Sequence, residues 1–415
     1  MISKTRFIII SGLVILLAAM IYGSWFYYTN LRGVGPVFRD GDTAALDSLN
    51  SDPLTATADN QVFKNDPFLA PPGFRISVFA KNLKSPRDLE LDPRGTVIVS
   101  IPEQGRIVAL PEESGGSKAD KIVDIVKNLN NPHGLVFDCN VNHCYLYVAE
   151  ENQVSRFDYN IGDYSATNKT KMIDLPTGGR HTTRSIIKYR NGFLVSIGSS
   201  CNVCNEKDQR RATIQFFETE KRTPTTYATG LRNAVFLAEN PNTKEVWVTE
   251  MGRDLLGDDL PPDEINIVKK GGNYGWPICY GKNIHDTDFD KNTYIRNPCQ
   301  EPTELPSLID LPAHAAPLGL AFFPESWGDK FKGSLLVAYH GSWNRTEPIG
   351  YKIVQFKTSD NNNTIEPEED FIIGWLGKDK ETSIGRPVDI LIRDDKKIFI
   401  SDDKAGVIYL VQYFE

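Results

Sequence analysis

One pattern recurs along most of this chain and constrains the fold more than any other feature. Each copy is an apolar strand, a turn rich in Asp, Asn, Pro or Gly, and a second apolar strand that ends in a small or polar residue. The six copies occupy residues 86–100, 132–150, 181–196, 232–249, 317–338 and 386–402. Repeated strand units of about 45 residues are typical of β-propellers. The sequence therefore predicts an all-β, six-bladed β-propeller.

A strand-like segment outside the six copies supports a closed ring. Arg75–Ala80 precedes the first copy and would have no partner there. As the outer strand of the last blade it would close the ring and remove an open sheet edge. A β-sandwich is the competing all-β fold, but the regular repetition argues against it.

The N-terminus predicts export. It carries Lys4 and Arg6, followed by an uncharged run from residue 7 to residue 31. Such a run is long enough to span a membrane, and the positive end stays in the cytoplasm. We expect residues 1–30 to form an uncleaved signal anchor in preference to a cleaved signal peptide, because no clear cleavage site follows. The polar residues 31–66 predict a flexible linker. Residues 67–415 would then form the propeller in the periplasm or at the cell surface.

The six cysteines fit that location. They lie in near pairs, Cys139/Cys144, Cys201/Cys204 and Cys279/Cys299. Local disulfides are the default in an oxidising compartment. Zinc is one alternative, although no second CxxC lies at ribbon spacing, and a redox-active CxxC is another, although no thioredoxin-like pattern surrounds it.

An acidic loop follows the fourth copy. Its carboxylates are those of Asp254, Asp258, Asp259, Asp263 and Glu264. With the backbone carbonyls of Gly252 and Arg253 they offer the oxygen ligands that Ca²⁺ prefers. An exposed acidic loop is an equally good interpretation, because no EF-hand spacing is present. The net charge of −8 and the lack of a basic tract argue against nucleic acid as a partner.

A polar or charged residue precedes the inner strand of every copy. These residues are Arg87, His133, His181, Arg232, His314 and Arg386. In a propeller they would line one end of the central channel. A single such residue is usually a local hydrogen-bonding group, but six at equivalent places favour an anionic or redox ligand.

Five motifs together resemble the glucose/sorbosone dehydrogenases. They are GGRHTTRS at 178–185, IGSSCNVC at 197–204, GLRN at 230–233, DEIN at 263–266 and GGNYGWP at 271–277. The resemblance covers roughly residues 74–413. Members of this family are six-bladed propellers that use pyrroloquinoline quinone (PQQ) with Ca²⁺. The resemblance therefore implies a quinoprotein sugar dehydrogenase that oxidises a sugar or a sugar aldehyde.

The resemblance also implies roles for individual residues. His181 matches the base that takes the substrate hydroxyl proton, a task suited to imidazole. Arg232 and Asn233 match the pair beside the quinone oxygens. Arg386 matches an arginine that holds PQQ carboxylates. The glucose enzymes place a lysine against PQQ where this chain has YHGSW at 339–343, so His340, with Arg345, would substitute for it.

Further residues match the cofactor and metal environment. His133 belongs to the same ring of channel residues and is expected to contact PQQ. Gly252 and Arg253 match positions whose carbonyls hold the Ca²⁺ that bridges to PQQ, and Asp263 lies beside them. Glu264 and Tyr274 match a second, structural Ca²⁺ site.

Two other function classes stay open at this point. One is a metal-dependent lactonase-type hydrolase, which would hold Ca²⁺ with carboxylates at the channel centre and fits the basic ring poorly. The other is a non-catalytic binding propeller without a cofactor. Under the dehydrogenase interpretation the partners are a sugar or aldehyde, an external electron acceptor such as a quinone or a cytochrome, and the membrane.

Overall fold

The computed structural model describes residues 4–49, 66–112, 116–358 and 365–414. Within these ranges the chain forms six four-stranded antiparallel sheets and one small hairpin. The first strands of the six sheets contact one another around a closed ring. The predicted six-bladed β-propeller is therefore confirmed.

The strands follow the repeat order. The last blade receives β1 (Phe74–Ala80) from the start of the domain. Blade one contains β2 (Leu89–Leu91), β3 (Val97–Ile101), β4 (Arg106–Leu110) and β5 (Val123–Val126). Blade two contains β6 (Leu135–Cys139), β7 (Cys144–Ala149), β8 (Gln153–Asn160) and β9 (Ser165–Asp174). Blade three contains β10 (Ile186–Tyr189), β11 (Gly192–Ile197), β12 (Thr213–Glu218) and β13 (Thr225–Thr229).

The second half repeats this plan with one insertion. Blade four contains β14 (Ala234–Glu239), β15 (Val246–Glu250), β16 (Asp263–Val268) and, after the hairpin β17 (Cys279–Tyr280) and β18 (Ile284–His285), β19 (Ile309–Leu311). Blade five contains β20 (Pro317–Phe322), β21 (Leu335–Tyr339), β22 (Lys352–Phe356) and β23 (Glu369–Ile373). Blade six contains β24 (Pro387–Arg393), β25 (Lys397–Asp402), β26 (Val407–Tyr413) and β1.

Ring closure is as predicted. Strand β1 pairs antiparallel with β26, with Phe74 opposite Tyr413 and Val78 opposite Tyr409. The second strands of the blades are buried on both faces, as in β3, β11 and β21. That burial explains why the sequences of these strands are continuous apolar runs and do not alternate between apolar and polar residues.

Site residues are placed by the direction of the strands. We call the end of the channel at which the inner strands β2, β6, β10, β14, β20 and β24 begin the upper end. Because successive strands are antiparallel, the loops that follow the second and the fourth strand of each blade also lie at the upper end. The turns between first and second strands lie at the opposite, lower end.

Among the described residues, helices are confined to the N-terminal segment apart from short 3₁₀ turns at Pro102–Gln104, Pro298–Gln300 and Glu325–Trp327. Helix α1 (Lys4–Phe26) is followed by a π turn (Tyr27–Leu31), a 3₁₀ turn (Arg32–Val34), α2 (Gly35–Phe38) and α3 (Ala44–Ser48). The apolar helix is long enough to cross a membrane, although signal sequences share these properties. Residues 32–41 of the predicted linker bond to blades five and six, and residues 50–65 lie outside the described residues. The domain boundaries stay a prediction.

All three predicted disulfides are present. Cys139–Cys144 joins β6 to β7 across the turn at the lower end, and Cys201–Cys204 lies in the loop after β11 at the upper end. Cys279–Cys299 fixes the insertion that carries the small hairpin. Because every cysteine is paired, no free thiol is left to bind zinc, which argues against the zinc alternative.

Candidate active site at the upper end of the channel

The polar residues predicted to line the channel lie at its upper end. Arg87, His133, Arg232 and Arg386 stand within two residues of the start of an inner strand, whereas His181 and His314 precede theirs by a few residues. His340 follows β21 directly and belongs to the same end.

His181 is held with one ring nitrogen available. Its Nδ1 lies 2.8 Å from Ser199 Oγ and 3.2 Å from the Ser199 carbonyl oxygen. The carbonyl only accepts, and Ser199 Oγ donates to the Cys201 carbonyl, so Nδ1 carries the proton. Burial and the nearby charge of Arg232 lower the pKa of His181 to about 3. The ring is therefore neutral, with the lone pair on Nε2.

Arg232 is almost completely buried and bonded on every side. Its Nε and Nη2 donate to the carbonyl and the side-chain oxygen of Asn202, and Nη1 donates to the Met251 carbonyl. Nη2 also forms an ion pair of 2.9 Å with Asp254. The guanidinium is thus fixed in one orientation next to His181.

Asn233 joins the same group of side chains. Its backbone N–H donates to both carboxylate oxygens of Glu250, at 3.0 and 3.1 Å. A Cβ at Gly198 would lie 2.5 Å from His181 Cβ and 2.9 Å from Asn233 Oδ1. Glycine at this position is therefore what lets the two side chains approach.

A second group of side chains surrounds Asp403. Its carboxylate pairs with Arg87 at 2.6 Å and with His340 Nε2 at 2.9 Å, and Arg386 donates to the His340 carbonyl at 3.1 Å. Burial opposes ionisation of Asp403, yet these three neighbours hold its pKa well below the usual range. Burial, followed by the charge of Arg386, lowers the pKa of His340 to about 4.

His133 and His314 take different roles although they occupy similar places. The Nε2 atom of His133 is buried without a hydrogen-bond partner, and its Nδ1 lies 3.3 Å from Ser185 Oγ. Burial lowers the pKa of His133 well below its usual value. His314 instead bonds through Nε2 to the Gly257 carbonyl at 2.8 Å, and so braces the acidic loop.

The predicted metal-binding residues fall into two neighbouring places. Asp263 accepts the backbone N–H groups of Gly252 and Ala316, each at 2.9 Å, while burial raises its pKa to about 7. Arg253 and Glu264 line a narrow pocket beside it, together with Tyr274.

That pocket contains more acid than cation. It is lined by Glu250, Glu264 and Asp286, and Arg253 pairs with Asp286 at 2.7 Å. Burial raises the pKa of Glu264 to about 7, and burial and then the charge of Glu264 raise that of Glu250. The Tyr274 hydroxyl donates to the Ile267 carbonyl and accepts the Lys269 N–H, so its oxygen is already engaged.

Several supporting residues were not given their roles from the sequence, and Asp254 was named there only among the acidic-loop carboxylates. Ser199 sets the His181 tautomer, Asn202 and Asp254 fix Arg232, and Asp403 joins Arg87 to His340. A signal existed for Asn202, because it stands between Cys201 and Cys204. Asp403 directly follows the second strand of its blade, as Glu150 does, and Glu250 is the last residue of the second strand of blade four.

Two curated relatives have similar sequences. An uncharacterized protein of Borreliella burgdorferi is 30% identical over 356 residues, covering 83% of this chain and 90% of that protein. A pyrroloquinoline quinone-dependent pyranose dehydrogenase of Coprinopsis cinerea is 24% identical over 400 residues, covering 82% of this chain. The match spans about half, 54%, of that fungal protein.

Solved structures share the fold. The holo form of the pyranose dehydrogenase PQQ domain from Coprinopsis cinerea aligns with a TM-score of 0.68 at 20% identity, over 84% of this chain and 98% of that one. A calcium structure of Trichoderma reesei carbohydrate-active enzymes family AA12 gives 0.71 at 21% identity, over 86% and 100%. The resemblance drawn from the motifs is thus confirmed. The family model described as TrAA12-like matches residues 68–414, and the chain belongs to the TrAA12-like family.

Proposed function

We propose that this protein is a PQQ-dependent dehydrogenase that oxidises a sugar at the upper end of the propeller channel. The observation that carries the proposal is the placement of a neutral His181 beside the fixed Arg232, in a chain related to a PQQ-dependent pyranose dehydrogenase. An acceptor for a hydroxyl proton and a cation for a developing negative charge are what alcohol oxidation needs.

The residues present fit an anionic, polar cofactor. The buried, unpartnered Nε2 of His133 is a polar atom that a ligand in the channel would satisfy. Arg386 donates to the carbonyls of His340 and Gly341, and its charge is not cancelled by a carboxylate within ion-pair distance among the described residues. Arg232 and Arg87 add two further guanidiniums, although Asp254 and Asp403 compete for them.

PQQ, when bound, would supply a quinone that accepts a hydride from the substrate carbon. His181 Nε2 would accept the proton of the hydroxyl on that carbon. Its pKa is low in the absence of a ligand, and an anion beside it raises that pKa, because opposite charge favours the protonated ring. Ser199 would hold the ring in place during the transfer, since its carbonyl and hydroxyl keep Nδ1 protonated.

The remaining predicted cofactor residues have supporting roles. Arg232 would stabilise negative charge through a guanidinium already fixed by Asn202 and Asp254. Asn233 would offer its amide from the same turn. Arg386 would bind a carboxylate of the cofactor from blade six. His340, whose Nε2 is bonded to Asp403, would contact the cofactor beside it from blade five.

We also propose that calcium binds near the acidic loop. The donor set fits, because Asp263 and the carbonyls of Gly252 and Arg253 supply oxygen ligands. A divalent cation would also lower the pKa of Glu250 and Glu264. Burial now raises both values, helped by the charge of Glu264 at Glu250 and by that of Asp310 at Glu264. Glu264 stays the predicted ligand of a second calcium site, and Tyr274 would face it with an oxygen that is already bonded.

The proposed location is outside the cytoplasm, with α1 as a membrane anchor. The positive Lys4 and Arg6 before an apolar run support that orientation. The reaction also needs an external electron acceptor, because the two electrons taken from the sugar must leave the cofactor before the next turnover. A quinone or a cytochrome would serve.

Dye reduction by the purified protein tests the proposal. The protein is titrated with PQQ in the presence of Ca²⁺, and the rate is then measured over a panel of aldoses and aldehydes. We expect saturable PQQ binding and reduction of the dye by at least one sugar. Binding without reduction by any substrate would instead support a binding propeller, and a protein that never binds PQQ would contradict the assignment.

A further inference from the structure

The apolar helix runs into the propeller without a spacer. Helix α1 ends at Phe26, and its side chains from Ile8 onward lie outside the core of the protein. Arg32 Nε donates to the Thr346 carbonyl at 3.4 Å, and Gly33 N–H donates to the Arg345 carbonyl at 2.8 Å. Only a few residues therefore separate the helix from the first contact with blade five.

The chain then crosses from blade five to blade six. Gly41 N–H donates to the Ser383 carbonyl at 2.8 Å, and the Pro36 carbonyl accepts from Ser383 Oγ and Lys404 Nζ, each at 2.7 Å. Ser383 lies in the loop after β23, and Lys404 lies in the loop after β25. Arg345, which binds Gly33, lies in the loop after β21. All three loops leave the propeller at its upper end.

Two glycines show how closely this segment approaches the loops. A Cβ at Gly33 would lie 2.9 Å from the Arg345 oxygen and 2.9 Å from the Pro348 nitrogen. A Cβ at Gly35 would lie 2.8 Å from the Glu381 oxygen. These neighbours are backbone atoms that cannot rotate away, so only glycine permits this contact.

The far end of the segment is also fixed. Leu46 and Leu49 are 7% and 4% exposed and belong to the hydrophobic core between blades five and six. Lys81, which follows β1, pairs with Asp47 at 3.1 Å. The segment is thus attached at both ends, and its direction relative to the propeller is set by packing.

We propose that residues 32–49, named here the collar, hold the upper end of the propeller toward the membrane, so that the partner of this face is the lipid bilayer. At a rise of about 1.5 Å per residue, Gly33 lies only about 12 Å along the chain from Trp25, one of the aromatic residues typical of a membrane interface. The inference rests on insertion of α1 into a membrane. It does not depend on PQQ.

Energy transfer to labelled lipid tests the orientation. The full-length protein is placed in phosphatidylcholine vesicles that carry a headgroup-labelled acceptor lipid. A donor dye is attached through Asp259→Cys at the upper end or Asp329→Cys at the lower end, where both native side chains are about nine-tenths exposed. Strand β21 alone separates the ends by about 17 Å at about 3.3 Å per residue.

We expect a higher transfer efficiency from position 259 than from position 329. Gly33→Val combined with Gly35→Val should detach the collar and reduce that difference while the protein still sediments with vesicles. Gly23→Val is the matched control, because a Cβ there meets nothing within 4 Å. Equal transfer from both positions in the unchanged protein, or failure of that protein to associate with vesicles, would overturn the inference. PQQ titration of the same samples tests the proposed function separately.

Discussion

The upper end of the channel and its interior use the same residue types in opposite ways. At the upper end carboxylates pair with cations, as Asp254 does with Arg232 and Asp403 with Arg87. Inside the channel, Asp88 and Asp389 accept backbone N–H groups of the next blade, from Leu135 at 2.9 Å and Leu89 at 2.8 Å. Asp88 and Asp389 therefore join neighbouring inner strands, whereas Asp254 and Asp403 position cations.

Burial shifts the pKa of titratable groups toward the neutral form in both regions. Burial, followed by the charge of Asp389, raises the pKa of Asp88, and burial likewise raises that of Asp389. Burial also lowers the pKa of His181 and His340 at the upper end. Desolvation thus leaves both regions with neutral groups, and ionised side chains persist where a partner lies within bonding distance. Chemistry is expected at the end where neutral bases lie beside fixed cations.

The largest expected effect comes from removing the proposed base. His181→Ala should lower kcat by about 10²- to 10⁴-fold, because proton transfer loses its acceptor, while PQQ and Ca²⁺ binding stay largely intact. Steady-state kinetics with separate PQQ titration measure both quantities. His143→Ala is the control, since His143 is exposed at the lower end and should leave both unchanged. Unchanged turnover in His181→Ala would place the base elsewhere.

The second effect is on stability and cofactor affinity together. Arg232→Met leaves Asp254 with its partner removed in a largely buried place, and we expect a loss of about 3–5 kcal/mol in the free energy of unfolding. PQQ binding should weaken as well. Adding Asp254→Asn to the variant should restore part of the stability but not the affinity, as urea unfolding and PQQ titration would show. Equal losses of unfolding free energy in the single and the double variant would show that the Arg232–Asp254 ion pair does not account for the effect.

The third effect depends on pH and belongs to the interior. The pKa of Asp389 is raised in the folded state, so the folded protein binds more protons than the unfolded chain. Its contribution to stability is complete below about pH 4 and is lost as pH rises through the raised value. Asp389→Asn cannot titrate. Between pH 5 and pH 7 we expect the wild type to lose on the order of 1–2 kcal/mol more than the variant in urea unfolding. Parallel pH profiles would contradict this.

The smallest expected effect is on PQQ affinity, and it comes from removing the disulfide at the upper end but not the one at the lower end. Replacing Cys201 and Cys204 by serine should loosen Asn202, which binds both Arg232 and the Asp254 N–H, and so weaken PQQ binding severalfold. The same replacement of Cys139 and Cys144, at the lower end, should leave PQQ affinity and turnover unchanged. Equal effects of the two replacements on affinity would show that the comparison between the two ends fails.

Much of the fold followed from the sequence because strand repeats are local patterns. The six copies gave the blades, and Arg75–Ala80 was expected to close the ring, as it does. The polar residues before the inner strands were also expected at one end of the channel, because equivalent positions in the repeats occupy equivalent positions around a propeller. The individual roles of those residues did not follow. His314 resembles His133 in sequence place, yet it bonds to a loop that the repeat does not encode.

The partners of the site residues were harder to predict because they come from distant parts of the chain. Asp403 of blade six forms an ion pair with Arg87 of blade one. Asn202, after the second strand of blade three, accepts the backbone N–H of Asp254 in the loop of blade four. The collar was missed for a related reason. Its polar, glycine-containing sequence is typical of a linker, but the two glycines serve close packing, which only the surface of blades five and six reveals.

The pairing of β1 with β26 has a consequence for biosynthesis. Roughly 340 residues separate Phe74 from its partner Tyr413. At a synthesis rate of about 5–20 residues per second, β1 waits on the order of half a minute for the strand that completes its blade. Throughout that interval the edge of β1 is open on the nascent chain. Protection of that edge during synthesis therefore affects how much of the newly made protein closes its ring instead of aggregating.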